Sequence, residues 1–149
     1  MNHSANVVDI LLVEDNPGDV RLTEEALKES KIAVCMRVAG DGVQALAMLR
    51  REGEYADHPQ PDLILLDLNM PRMDGRELLR LIKSDEQLKH IPVVVLTTSE
   101  AEKDIVQAYG LHANCYITKP VELEEFIKIV QSIEGFWLTV VKLPDGLGR

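Results

Sequence analysis

Residues 61–75 read PDLILLDLNMPRMDG. Four consecutive large aliphatic residues, Leu63 to Leu66, are what a strand buried on both faces requires, and the run stops at a carboxylate, Asp67, followed by a turn-rich loop. A strand is therefore expected over 62–66. Similar runs lie on either side of it: VDILLV at 8–13, broken only by Asp9, VCMRVA at 34–39, PVVVLT at 92–97 and CYIT at 115–118. Between and after these runs the apolar residues take helical spacing: Val20, Thr23 and Leu27; Val43, Leu46 and Ala47; Leu78, Leu81 and Ile82; Ala101, Ile105 and Ala108; Leu123, Phe126, Ile127 and Val130. Asn16 before Pro17 reads as an N-cap with proline at the first helical position, and Gly53 and Gly110 stand where helices end in a left-handed residue. Five near-continuous apolar strands alternating with five helices make an α/β protein. The expected architecture is the flavodoxin-like (βα)5 form, a doubly wound parallel sheet of strand order 2-1-3-4-5.

The chain is 149 residues long with 46% hydrophobic and 28% charged residues, which suits one globular domain with a full core. Sixteen Lys and Arg against twenty-five Asp and Glu give a net charge of −9. That balance lacks the basic footprint of a phosphate-backbone binder, so direct nucleic-acid contact is not expected. The start, MNHSANVV, has no secretory pattern and no apolar run reaches membrane-spanning length, so the expectation is a cytoplasmic protein without membrane attachment. Cys35 and Cys115 lie in strand-like runs and are expected to be buried thiols of a reducing compartment. His3, His58, His90 and His112 have no metal-ligand spacing and are expected at the surface.

In an open parallel sheet the chemistry sits beyond the carboxyl ends of the strands. LLVEDNPGD (11–19) puts Glu14 and Asp15 at the end of the first strand, and Asp67 ends the third, its neighbour. A lone aspartate at such a place usually caps a helix. Three converging carboxylates repel one another, and a divalent cation lets all of them stay ionised. Mg2+ (or Mn2+) suits an open acid cluster that leaves room for waters and a phosphate, and a backbone carbonyl near Asn69 could complete the ligand set. Asp67, projecting from the middle of the sheet, has the position of a nucleophile that could attack phosphorus. Lys119 in TKP (118–120) offers a point charge for phosphoryl oxygens, with Pro120 a candidate for a cis bond that aims it inward. Thr97, at the end of the fourth strand, offers a hydroxyl to the same group.

These residues together, Glu14 and Asp15, Asp67 within DLNMPRMDG, Thr97, and Lys119-Pro120, resemble the receiver domain of two-component response regulators over roughly residues 8–134. The resemblance implies that Asp67 accepts a phosphoryl group from a phosphohistidine of a sensor kinase. It also implies that Glu14, Asp15, Asp67 and the Asn69 carbonyl hold the metal, and that Thr97 and Lys119 contact the phosphoryl group. Tyr116 would be the aromatic switch that follows Thr97. Such a protein catalyses only its own phosphorylation and dephosphorylation.

Residues 1–134 are expected to make the receiver, and GFWLTVVKLPDGLGR (135–149) is expected to be a C-terminal extension with no room for an output domain. With the EYADHPQPD (54–62) and DVRLTEEAL (19–27) segments, this tail is similar to the stand-alone regulators that partner phytochrome histidine kinases. Phe136, Trp137 and Leu138 are its main candidates for a homodimer contact; packing on the chain's own last helix is the other option. Two further function classes remain open at this point. A dehalogenase-type phosphohydrolase also uses an aspartate and magnesium, but it needs a second aspartate where this chain has Asn69. A phosphorylation-independent binding module should have lost acidic or lysine positions, and none is lost.

Overall fold

The computed structural model describes residues 7–28, 33–68, 75–97 and 115–119, with positions 122, 124 and 125. Its elements are β1 (Val7–Val13), α1 (Pro17–Lys28), β2 (Ala33–Ala39), α2 (Gly42–Leu49), β3 (Leu63–Asp67), α3 (Gly75–Ser84), β4 (Val93–Thr97) and β5 (Cys115–Thr118). All neighbouring strands pair in parallel in the order β2-β1-β3-β4-β5. The expected fold is thus present, with strand ends within a residue of those read from the sequence. The two helices expected after β4 and β5 lie outside the described residues, apart from Glu124 and Glu125, which are helical. Gly110, Asn69, Pro120 and the whole extension with Phe136, Trp137 and Leu138 lie outside them too.

The two-residue period of each strand divides the core between the two faces of the sheet. Leu11, Val13, Ile64, Leu66, Val93 and Val95 face α2 and α3, where Met48, Leu49, Leu78, Leu79 and Ile82 close the layer. Val8, Ile10, Leu12, Leu63, Leu65, Val94, Leu96 and Ile117 face the opposite side, where Leu27 of α1 packs. β3 and β4 are buried at every position, as a central parallel strand covered on both faces must be. Asp9, the one break in the β1 run, lies at the strand's amino-terminal end. There its carbonyl accepts from the Asp62 N–H at 2.7 Å, its own N–H donates to Asp62 Oδ2 at 2.9 Å, and Arg37 stands 3.8 Å from its carboxylate.

Local signals hold at α1, where Asn16 Oδ1 accepts from the Asp19 N–H at 3.0 Å and Pro17 opens the helix. α2 departs from expectation in rotation. Its buried side is Gly42, Ala45, Met48 and Leu49, with Leu46 only partly buried and Val43 exposed. The segment GVQALAML is apolar nearly all round, so spacing alone selects no face. The rotation is set instead by its cap: Asp41 Oδ1 accepts from the Gln44 N–H at 2.8 Å, while Gln44 Oε1 accepts from the Gly40 N–H at 2.8 Å. In α3, Leu79 joins Leu78 and Ile82 in the core, and Leu81 is only partly buried.

Three other expectations are corrected. Cys35 is exposed, because β2 is an edge strand whose outer positions have little to cover them. His58 is half-buried, edge-on to Tyr55 with ring centroids 5.3 Å apart, because the 54–62 connection folds back over the sheet end rather than running free. Gly53 is not the residue that ends α2. It has a positive φ of 55°, but it opens a separate 3-10 turn, Gly53–Tyr55. The helix itself ends at Arg51, φ 56°, with the Arg51 N–H donating to the Met48 carbonyl at 3.1 Å and the Glu52 N–H to that of Ala47 at 3.0 Å. This is the paired terminating pattern that ordinarily employs glycine.

A left-handed backbone costs a side-chain-bearing residue about 1–2 kcal/mol, and glycine returns part of that as unfolded-state entropy. Arg51→Gly is therefore expected to stabilise the protein by about 0.5–1 kcal/mol in urea denaturation. An unchanged or lowered midpoint would contradict this account of the turn.

Candidate phosphoacceptor site

The carboxyl ends of β1, β3 and β5 form one acidic crevice. β1 continues one residue beyond the strand, the Glu14 N–H donating to the Ala39 carbonyl at 2.9 Å, so Glu14 enters the sheet end side by side with Asp67. The β4–β5 ladder likewise extends through the Lys119 N–H, which donates to the Thr97 carbonyl at 2.8 Å. Alternation then puts Glu14, Asp67 and Lys119 on the α1 side of the sheet, in line with Leu12, Leu65 and Ile117. Thr97 follows Val93 and Val95 on the other side.

Glu14 and Asp67 are each 2% exposed, whereas Asp15 is open to solvent at the rim. Glu14, Asp15 and Asp67 each offer a carboxylate oxygen, and these oxygens lie within 4.8 Å of one another. Lys119 Nζ stands 3.0 Å from Glu14 Oε1, 2.9 Å from Asp19 Oδ2 and 3.4 Å from Asp67 Oδ1. Burial pushes the Glu14 carboxyl up to about 7, the hydrogen bond from Lys119 opposing it and the charge of Asp67 adding to it. For Lys119 burial acts downward, but the hydrogen bonds to Asp19 and Glu14 and the charge of Asp67 outweigh it and hold the ammonium above the ordinary lysine range.

The structure therefore brings together Glu14, Asp15, Asp67 and Lys119, all read as site residues from the sequence. Thr97 is fully buried, and its Oγ1 has no hydrogen-bond partner among the described residues. Tyr116 is half-buried against the same side of the core, opposite Val95 in the β4–β5 register, and burial raises its phenol. Asn69 is outside the described residues. The donor set among the described residues fits a hard divalent cation: three carboxylates, all-oxygen chemistry and a Lys119 ammonium shared among several acids.

Two residues escaped the sequence reading. Asp19, on the first turn of α1, was legible only as a helix N-terminal acid, yet it reaches Lys119 from 100 positions away. Gly75 opens α3 where a Cβ would stand 2.5 Å from the Asp67 carbonyl oxygen and 2.6 Å from Leu68 Cα, and its N–H donates to the Leu68 carbonyl at 3.1 Å. A glycine after an aspartate signals a turn, but nothing in the string tells which backbone it will touch.

An acid cluster with a lysine at the carboxyl ends of a parallel α/β sheet is the feature to set beside known proteins. The family model described as the response regulator receiver domain matches residues 10–131, and the chain belongs to that family. It is 53% identical over 135 residues to the response regulator Rcp1 of Synechocystis sp., covering 91% of this chain and 92% of that one. Rcp1 has been solved in a Mn2+-bound form, to which this chain is similar with TM-score 0.71, 52% identity and coverage of 92% and 99%. The bacteriophytochrome response regulator AtBRR is similar at TM-score 0.82 and 44% identity, covering 88% of this chain and 95% of that one. The phosphorylated cyanobacterial phytochrome response regulator RcpA is similar at TM-score 0.72 and 55% identity, covering 92% and 98%.

Glu14 binds its proton more tightly in the folded than in the unfolded chain. In the metal-free protein this group's contribution to stability therefore falls as pH rises from about 4.5 through about 7. A cation ligated by Glu14 must displace that proton. Mg2+ affinity is expected to rise from pH 6 to pH 8, with proton release on binding at pH 6, measured by calorimetry in buffers of different ionisation enthalpy. Affinity that is flat over this range would show that Glu14 is already ionised without the metal.

Proposed function

We propose that this chain is a phosphorelay receiver that takes a phosphoryl group on Asp67 from the phosphohistidine of a sensor kinase and signals by a changed protein-binding face. The observation that carries this reading is the convergence of a nearly fully buried Asp67 with two further carboxylates and one lysine at the end of a parallel sheet. An Asp67 oxygen forms a bond to phosphorus while the bond from phosphorus to the imidazole nitrogen of the donor breaks, and the imidazole leaves with a proton. Glu14, Asp15, Asp67 and the Asn69 backbone carbonyl would hold Mg2+ (or Mn2+), which would supply positive charge against the phosphoryl oxygens. Lys119 supplies the fixed positive charge from the protein, and Thr97 donates its hydroxyl to a phosphoryl oxygen. Thr97 Oγ1 is suited to that role because it lacks a partner among the described residues.

The consequence is read on the other side of the sheet. Thr97 and Tyr116 lie on the α2 and α3 side of β4 and β5, so a hydroxyl drawn toward Asp67 leaves space that the Tyr116 ring can occupy. A hydrogen bond to a charged group is worth roughly 1.5–3 kcal/mol, enough to rebias two such states by one to two orders of magnitude. The phytochrome names carried by RcpA and AtBRR support a phytochrome histidine kinase as the donor, and the acidic balance supports a cytoplasmic protein with protein partners rather than DNA. No helix among the described residues is long and apolar enough to cross a membrane.

With Mg2+ and acetyl phosphate the protein should acquire an acid-labile phosphoryl label that hydroxylamine also removes, and chelation should prevent it. Asp67→Asn should abolish the label with the fold intact by circular dichroism. Undiminished labelling of that variant would sink the assignment.

The extension at 135–149 is proposed as the contact of a homodimer, since Phe136 and Trp137 together could bury about 300–400 Å². Sedimentation should find a dimer of the full chain at tens of micromolar and a monomer when the chain is cut after Glu134. A monomeric full chain, or a truncated chain that still dimerises, would refute it.

A further inference from the structure

Lys119 is asked to do two things that conflict. Its ammonium stands within 3.4 Å of carboxylate oxygens of Glu14, Asp19 and Asp67, and it is hydrogen-bonded to the first two. On the reading just given, on which this inference rests, Glu14 is also a metal ligand. A cation that engages the Glu14 carboxylate competes directly with the hydrogen bond from Lys119. A lysine has a flexible four-carbon stem, and one left with only the 3.4 Å approach to Asp67 has little to keep it from turning toward solvent.

Asp19 is placed to prevent that. Its carboxylate is 2.9 Å from Lys119 Nζ, and it is not one of the three acids whose oxygens cluster within 4.8 Å. It stands on the first turn of α1, and that turn is anchored by its own cap: the Asp19 N–H donates to Asn16 Oδ1, and the Val20 N–H donates to the Asn16 carbonyl at 3.0 Å. The acid is thus held by the first turn of α1 and is not itself one of the carboxylates that would bind a cation. We infer that Asp19 is a positioning residue, the anchor that keeps Lys119 aimed at Asp67 when a divalent cation engages Glu14. In the metal-free protein Glu14 and Asp19 share the load; with the metal present Asp19 carries it, leaving one N–H of the ammonium for Asp67 and then for the phosphoryl oxygen. The helix-dipole role of a first-turn acid is real but would not require contact with residue 119.

The test follows the Lys119 ammonium directly. In the full chain labelled with 15N-lysine, the slowly exchanging Nζ signal of Lys119 should be visible in the parent with and without saturating Mg2+. In Asp19→Asn it should survive without Mg2+ and disappear when Mg2+ is added. The rate of labelling by acetyl phosphate at saturating Mg2+ should fall about three- to tenfold in Asp19→Asn, the size expected for a partly exposed charged hydrogen bond. Asp19→Glu should recover part of it. Any pattern other than metal-dependent loss of the signal overturns the inference, including a slow variant whose Lys119 signal persists in Mg2+, which would assign Asp19 a purely structural role. If the parent takes no phosphoryl group at all, the receiver reading fails, while the resonance measurement still decides whether Asp19 holds Lys119.

Discussion

Two carboxylates buried side by side at the end of a sheet, with the Lys119 ammonium against both, are the constraint around which this molecule is arranged. Glu14 and Asp67 are almost completely withdrawn from water, and an ionised carboxylate in such a place is costly unless it is paired. The chain answers in several ways at once. Lys119 is delivered from the far edge strand by extending the β4–β5 ladder one residue. The amino-terminal end of α1, capped by Asn16, lies beside the site and brings the positive end of a helix dipole with it, and the Asn16 N–H approaches Glu14 Oε2 at 3.3 Å. Glu14 still retains a proton up to about pH 7. The surplus of buried acid over cation suits this site to a divalent cation.

The parallel sheet divides the surroundings of this site between its two faces. Because side chains alternate, consecutive positions at a strand end serve different layers: Asp67 and Lys119 belong to the α1 side, Thr97 and Tyr116 to the side of α2 and α3. Thr97 is the last residue of its strand and sits at the border between them, fully buried. β3 and β4 are packed at every position, so Thr97, at the strand end, is where the two layers meet with the least surrounding structure to displace.

Most of the architecture was legible because it rests on one-dimensional signals. Runs such as LILLD and VVVLT can be little else than central strands, and the polar residues following them fall at the sheet end by topology alone. What could not be read were matters of rotation and of contact across the chain. α2 is apolar on nearly every side, so its face was decided by the hydrogen bonds of Gln44, which have no period. Cys35 sits in an apolar string whose exposure depends on β2 being an edge. Arg51 takes a conformation for which Gly53 was the better local candidate, because two left-handed residues are needed within three positions and there is one glycine. Asp19 carries the same lesson for the site: its local role at the helix start was visible, and its partner, Lys119, lies at the other end of the chain.

Gly75 shows how closely backbone and chemistry are joined here. Asp67 can present its carboxylate into the crevice only if its own carbonyl and the following Leu68 are held from behind, and the first residue of α3 does this by backbone contact, its N–H on the Leu68 carbonyl and its Cα packed where a Cβ would meet Asp67 O at 2.5 Å. A side chain at position 75 would have to move either the helix start or the strand end. The strand end cannot yield without disturbing Leu66 and Leu68, both fully buried. The helix start would have to yield instead, so the end of β3 and the first residue of α3 are joined by direct backbone contact that depends on the absence of a single methyl group.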